Sequence, residues 1–211
     1  KIATANGQIA IVSRDSNPDF FNAGKVSLGA LGIITEYTLK LESAFSLRRR
    51  VWLEPVNELL EKSEELSKQY RNYEFFYFPG TGYAAGITHE IHSGPSQGRA
   101  GDEDEELLES LKQLRDVFGW FPWLRRKLFE RGVPVGLVED SKDESWRLLS
   151  THRPTRFQEI EYSVPVDKGI KVIREVIRLL DRRSEVFFPI EARYVAQDEA
   201  WLSPFNDGPR F

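Results

Sequence analysis

The chain has 211 residues, of which 40% are hydrophobic and 12% aromatic, enough apolar material for one large core or two small ones. A formal net charge of -4 argues against a nucleic-acid or anionic-membrane surface as its main business, and no apolar run approaches the roughly 18 residues needed to cross a bilayer. Cysteine is absent, which excludes disulfides, thiolate metal sites and thiol nucleophiles. The opening KIATANGQIAIVS lacks a basic leader and an apolar core segment, so no signal peptide is expected and the cytoplasm is the expected location. The chain starts at Lys1 within a strand-like alternation and holds no methionine, which reads as a fragment or processed product.

Asn6-Gly7 between Ile2-Ala3 and Ile9 to Val12 predicts a hairpin, because this dipeptide accepts the positive φ of a tight turn. Ser16-Asn17-Pro18 predicts the capped start of a short helical turn reaching Ala23. After glycines at 29 and 32, the alternation from Ile33 to Leu41 predicts a strand. Phe45 to Glu54 reads as a strand carrying Arg48, Arg49 and Arg50. Pro55 to Lys68 reads as an amphipathic helix, Tyr73 to Pro79 as an aromatic strand, and Tyr83 to Ile91 as a strand after the Gly80-Thr81-Gly82 turn. Ser93 to Asp104 reads as a loop, Glu105 to Arg131 as helix bent at Gly119 and Pro122, and Gly132 to Glu144 as irregular. Arg156 to Val164 predicts a strand, Asp167 to Arg183 a helix and Glu185 to Ala196 a strand. The order after residue 44 is β-α-β-β, a helical insertion at about 102–131, then β-α-β. This predicts an α+β fold with a ferredoxin-like antiparallel sheet, helices on one of its faces.

Two constellations bear on chemistry. Gly29 and Gly32, three apart, permit positive φ and close approach of backbone to a ligand; the simpler reading is a tight turn before a strand. On the last predicted strand the period of two puts Glu191 and Arg193 on one side and Ile190, Ala192 and Tyr194 on the other. A carboxylate and a guanidinium there form either an ion pair or the polar floor of a cleft. Glu159 and Glu161 share a face of a predicted strand, and an outward carboxylate row, or a set of partners for arginines, outweighs a glycosidase pair. His89 and His92 are three apart on a strand, so they face opposite ways, and His152 is alone; no metal site is expected. Arg48 to Arg50 and the Trp120 to Lys127 run are candidates for a membrane interface, with a packed aromatic helix the favoured explanation of the latter.

The run NPDFFNAGKVSLGALGIITEYTLKL resembles the end of the FAD-binding (PCMH-type) domain of vanillyl-alcohol-oxidase-like flavoproteins, in the branch of sugar-1,4-lactone and alditol oxidases. The segment FPIEARYVAQDEAWLSP resembles that branch's E-x-R…D-x-x-W-L-S-P signature, and RFQEIEYSVP resembles its R-F-x-E-M-E-Y-x-x-P, with Ile160 in place of methionine. The resemblance implies residues 1–43 as the end of an FAD-binding domain and 44–211 as a substrate (cap) domain. It implies FAD as cofactor, contacted by Gly29, Gly32 and Ile33, and Glu191 and Arg193 as catalytic residues. The implied activity is oxidation of a CH–OH group of a sugar alcohol or lactone, with the N-terminal half of the flavin domain, including the histidine that commonly carries the FAD, lying outside this chain. A non-catalytic ferredoxin-like interaction domain is the alternative.

Overall fold

The computed structural model describes residues 1–98, 109–110, 112–113, 116–117, 120–121, 123–124, 127–128, 131, 135–150, 158–183, 185–186 and 188–211. The chain divides into two compact units: Lys1–Ser43 with Tyr162–Val166 and Val195–Phe211, and Ala44–Glu161 with Asp167–Tyr194. The segment Val195–Phe211, which the sequence reading grouped with everything after residue 44, thus clusters with the first unit.

In the first unit β1 (Ile2–Ala3), β2 (Ile9–Ala10) and β3 (Ile33–Ile34) form an antiparallel sheet in the order β2-β1-β3. The Asn6-Gly7 hairpin forms as expected. Gly7 takes φ 80° and donates its N–H to the Thr4 carbonyl at 3.0 Å, while the Asn6 side chain accepts from the Thr4 hydroxyl at 2.6 Å. Helix α1 (Pro18–Lys25) starts where the Asn17 carboxamide accepts the Phe20 N–H, with proline in its first turn. The strand expected over Ile33 to Leu41 ends at Ile34. Its ladder partner β1 is two residues long, and pairing stops where Thr35 N–H donates to the Lys1 carbonyl; Tyr37, Leu39 and Leu41 are exposed. Near the C-terminus, Val195 and Arg210 exchange backbone hydrogen bonds, as do Val164 and Phe211. Asp198 accepts from Ala200 N–H and the Ser203 hydroxyl, and Trp201 N–H donates to Asn22 at the middle of α1.

The second unit is a five-stranded sheet, β7-β4-β6-β5-β8, antiparallel throughout. Its strands are β4 (Ser46–Pro55), β5 (Asn72–Tyr77), β6 (Tyr83–His92), β7 (Gly136–Glu144) and β8 (Ile190–Arg193). Helix α2 (Val56–Gln69) joins β4 to β5, α3 (Ser145–Leu149) follows β7, and α4 (Val166–Leu180) precedes β8. Tyr73, Phe75 and Tyr77, alternate residues of β5, are buried on the helix-covered side. There Leu59 and Leu60 of α2 and Ile173 and Ile177 of α4 are buried, and the Ser63 hydroxyl meets the Tyr73 hydroxyl at 2.9 Å. Arg174 of α4 donates to Asn57 of α2, so the two helices are neighbours.

Further expectations are corrected in the second unit and beside it. Gly136–Glu144 is a strand, not irregular. From Glu139 on its residues are polar, and beside the ladder with β4 charge holds it: Asp140 takes a two-pronged hydrogen bond from Arg48, and Glu139 pairs with Arg49. Residues 158–164 lie outside any strand, with only Pro165 bridged, to Arg210; Arg156 and Phe157 lie outside the described residues. The strand expected over Glu185 to Ala196 is confined to Ile190–Arg193, because it pairs with Glu74 to Tyr77 and Pro189 has no N–H to extend the ladder. Much of the helical insertion falls outside the described residues; Glu109, Lys112, Asp116, Leu124 and Leu128 are helical. Trp120 and Trp123 there are 91% and 65% exposed, so the described aromatics are not packed as expected. No helix among the described residues is long and apolar enough to cross a membrane.

Asp181, one residue beyond α4, accepts from the Tyr77 hydroxyl and from Gly80 N–H at 2.8 Å, tying the β5–β6 turn to the helix end. Asp181→Ala leaves the fully buried Tyr77 hydroxyl without that acceptor. It should cost about 1–3 kcal/mol and lower the melting temperature by several degrees in a calorimetric scan.

Candidate functional site

Antiparallel register fixes which side chains share a face, because directly opposed residues point the same way. Glu191 is opposite Phe76 and Arg193 opposite Glu74 on β5; Glu74 is opposite Ile87, and Asn72 opposite His89, on β6. His89 faces Arg49 of β4, which in turn is opposite Ser141 of β7. A stepped polar row, with Phe76 and Ile87 among its members, therefore draws on all five strands on the side away from α2 and α4. Beside it Leu53 of β4, Phe76 of β5, and Tyr83 and Ala85 of β6 pack with Phe78 in an apolar cluster.

Glu191 and Arg193 lie on one face, as the period of two requires. The Arg193 guanidinium donates to Glu191 Oε1, so the ion pair is real, and both groups still reach solvent, with side chains 21% and 50% exposed. Ala192 is buried on the other face, and Tyr194 stacks on Tyr73 at 6.2 Å between ring centroids.

Sequence reasoning missed Glu74. Glu74 stands opposite Arg193 and diagonal to Glu191 on the same face of the sheet, and burial together with the Glu191 charge pushes its carboxyl up to about 7, with Arg193 and Arg49 pulling the other way. The available signal was a lone carboxylate in the aromatic strand YEFFYFP, on the opposite parity to Tyr73, Phe75 and Tyr77. Arg49 and His89, 6% and 4% exposed, complete the buried part of the row. His92 is opposite Ser46 and so faces the other side of the sheet from His89; His152 lies outside the described residues. Glu159 and Glu161 are exposed on backbone that forms no strand.

In the first unit the glycine turn runs from Ser27, whose carbonyl accepts Ala30 N–H at 2.8 Å, to Gly32, whose N–H donates to Gly29 at 3.3 Å. Gly29 and Gly32 take φ 78° and 125°. A Cβ on Gly29 meets no atom within 4 Å, whereas one on Gly32 would stand 2.2 Å from the Ala3 carbonyl oxygen. Leu28 and Ile33 are 86% and 74% exposed, so the turn presents an open backbone edge flanked by outward apolar side chains. A planar, partly apolar cofactor fits that chemistry, which needs no side-chain ligand from the turn itself.

The family model described as D-arabinono-1,4-lactone oxidase matches residues 37–210. Over 210 residues the chain is 29% identical to the L-gulono-1,4-lactone dehydrogenase of Mycobacterium tuberculosis, covering 96% of this chain and 48% of that protein. It is 26% identical over 215 residues to Bos taurus L-gulonolactone oxidase, with the same 96% and 48% covered. A putative D-arabinono-1,4-lactone oxidase of Neurospora crassa is 41% identical over 80 residues, 37% of this chain and 14% of that protein. The chain spans about half the length of the first two relatives. With the family model matched over most of its length, the chain belongs to the D-arabinono-1,4-lactone oxidase family.

Proposed function

We propose that this chain is part of an FAD-dependent oxidoreductase that oxidises a CH–OH group of a sugar-derived lactone or alditol. The first unit is then the end of a PCMH-type FAD-binding domain, and the second a ferredoxin-like cap whose sheet carries the substrate residues. The observation that carries this reading is the placement of Glu191 beside Arg193 on β8, hydrogen-bonded to one another and still open to solvent. FAD, when bound, supplies the acceptor for the hydride leaving the carbinol carbon. Gly29, Gly32 and Ile33 would hold it through backbone and apolar contact at the turn.

The work left to this chain is electrostatic. As the hydride leaves, the substrate hydroxyl must lose its proton, and Glu191 is the group to accept it or to orient the O–H bond. Negative charge builds on the far side of the transfer, and the fixed Arg193 guanidinium stabilises it without reorganisation. Their mutual hydrogen bond holds both side chains in place before substrate arrives.

Glu191→Gln and Arg193→Ala in the intact protein should each retain bound flavin and slow its reduction by substrate at least about a hundredfold, read by the loss of flavin absorbance in anaerobic stopped flow. Reduction at the wild-type rate in either variant removes that residue from the chemistry.

A further inference from the structure

Glu74 is used by neither half of that mechanism, yet it is the residue of β5 opposite Arg193. The groups sharing its face come from every neighbouring strand. On β8 they are Arg193 and Glu191, and on β6 they are Ile87, directly opposite, and His89. On β4 there is Arg49, and on β7 Ser141 and Glu139, the latter ion-paired to Arg49. Glu74 is diagonal to Glu191 on the same face, so the two carboxyls are neighbours; both ionised they would repel, and one proton shared between them would turn that repulsion into a hydrogen bond. The register allows that proton to sit between Glu74 and Glu191 while Arg193 holds Oε1 of Glu191.

We infer that Glu74 is a positioning residue that shares one proton with Glu191: protonated, it donates to the Glu191 carboxylate and fixes it beside Arg193; ionised, it repels Glu191 and competes for the guanidinium. Its effect on catalysis rests on the role proposed for Glu191, whereas the shared proton itself does not. The sign follows from the environment: burial and the Glu191 charge bring the Glu74 transition to about 7, so the ordered arrangement holds below neutrality and is lost above it.

The test uses the intact protein as wild type, Glu74→Gln, Glu74→Leu and Glu191→Gln. Glu74→Gln keeps a hydrogen-bond donor at every pH. Infrared difference titration should find in the wild type a carboxyl C=O band that disappears near pH 7, is absent from both Glu74 variants, and moves down by at least about one unit in Glu191→Gln, where the like charge is gone. The ratio of the wild-type to the Glu74→Gln rate of flavin reduction should fall roughly tenfold between pH 6 and pH 8, following the protonated fraction of Glu74. Glu74→Leu, which cannot donate, should be slowed at both ends of that range. A band titrating in the ordinary carboxylate range, or one that Glu191→Gln leaves in place, overturns the shared proton; a rate ratio flat with pH overturns the positioning role. Normal flavin reduction by Glu191→Gln with the band shifted as expected would refute the catalytic assignment of Glu191 and leave the shared proton standing.

Discussion

Gly32→Ala will dissolve the three-stranded sheet of the first unit, whereas Gly29→Ala, three residues earlier in the same turn, will cost about 1–2 kcal/mol. Both glycines have positive φ, at 125° and 78°, but their surroundings differ. At Gly32 the added carbon would lie 2.2 Å from the Ala3 carbonyl oxygen, 3.0 Å from its carbon and 3.1 Å from Thr4 Cα. All three are backbone of or beside β1, so no side-chain rotation relieves the overlap. Relief requires moving β3 off β1, and that ladder consists of two residue pairs, Ile2 with Ile34 and Ala3 with Ile33. At Gly29 the carbon would enter open space and only the conformational cost remains. Amide hydrogen exchange at Ile33 and Ile34 checks this: protection should vanish in Gly32→Ala and persist in Gly29→Ala. Flavin retention in the same variants separates two roles for the turn. Loss in both assigns Gly29 to cofactor contact, while loss in Gly32→Ala alone makes the glycine pair a packing device.

The parts of this fold that could be read from the sequence are those whose cause is local. Asn6-Gly7 and Asn17-Pro18 act through their own backbone, and α2 and α4 announce themselves by spacing alone. The parts that could not be read depend on partners far along the chain. Ile33 to Leu41 alternates well, but a strand exists only as far as a neighbour pairs with it, and β1 pairs with Ile33 and Ile34 alone. Gly136–Glu144 looks like a loop because it is polar from Glu139 on; it is a strand because β4 pairs with it and brings Arg48 and Arg49 to its carboxylates. The candidate site divides the same way. Glu191 and Arg193 are two residues apart, so strand parity alone put them side by side, and the structure agrees. Glu74 joins them only because β5 and β8 are neighbours, a fact of topology separated by more than a hundred residues of sequence.

That dependence of β7 on charge can be measured, and Arg49→Leu should prove one of the most damaging single substitutions outside the apolar core. Arg49 is 6% exposed and pairs with Glu139, whose side chain is 20% exposed. Removing one member of a desolvated pair strands the other in a poorly solvated site, which costs about 3–5 kcal/mol, while replacing both with apolar residues of similar size is often nearly neutral. Arg49→Leu and Glu139→Leu should therefore each lower the urea midpoint strongly, and the double variant should recover most of the loss, a coupling of at least about 2 kcal/mol. Arg48 and Asp140, one position along, retain side-chain exposures of 27% and 28%, so Arg48→Leu should lower the midpoint far less despite its better hydrogen-bond geometry. Singles that cost no more than Arg48→Leu, with no coupling between them, would mean that β7 is held by its ladder alone. The comparison reaches the candidate site as well. The Arg49 charge is one of the two that restrain the Glu74 proton, so Arg49→Leu should move the Glu74 transition further above 7. The row that keeps a polar strand on the sheet would then also set the pH at which the acid pair beside Arg193 comes apart.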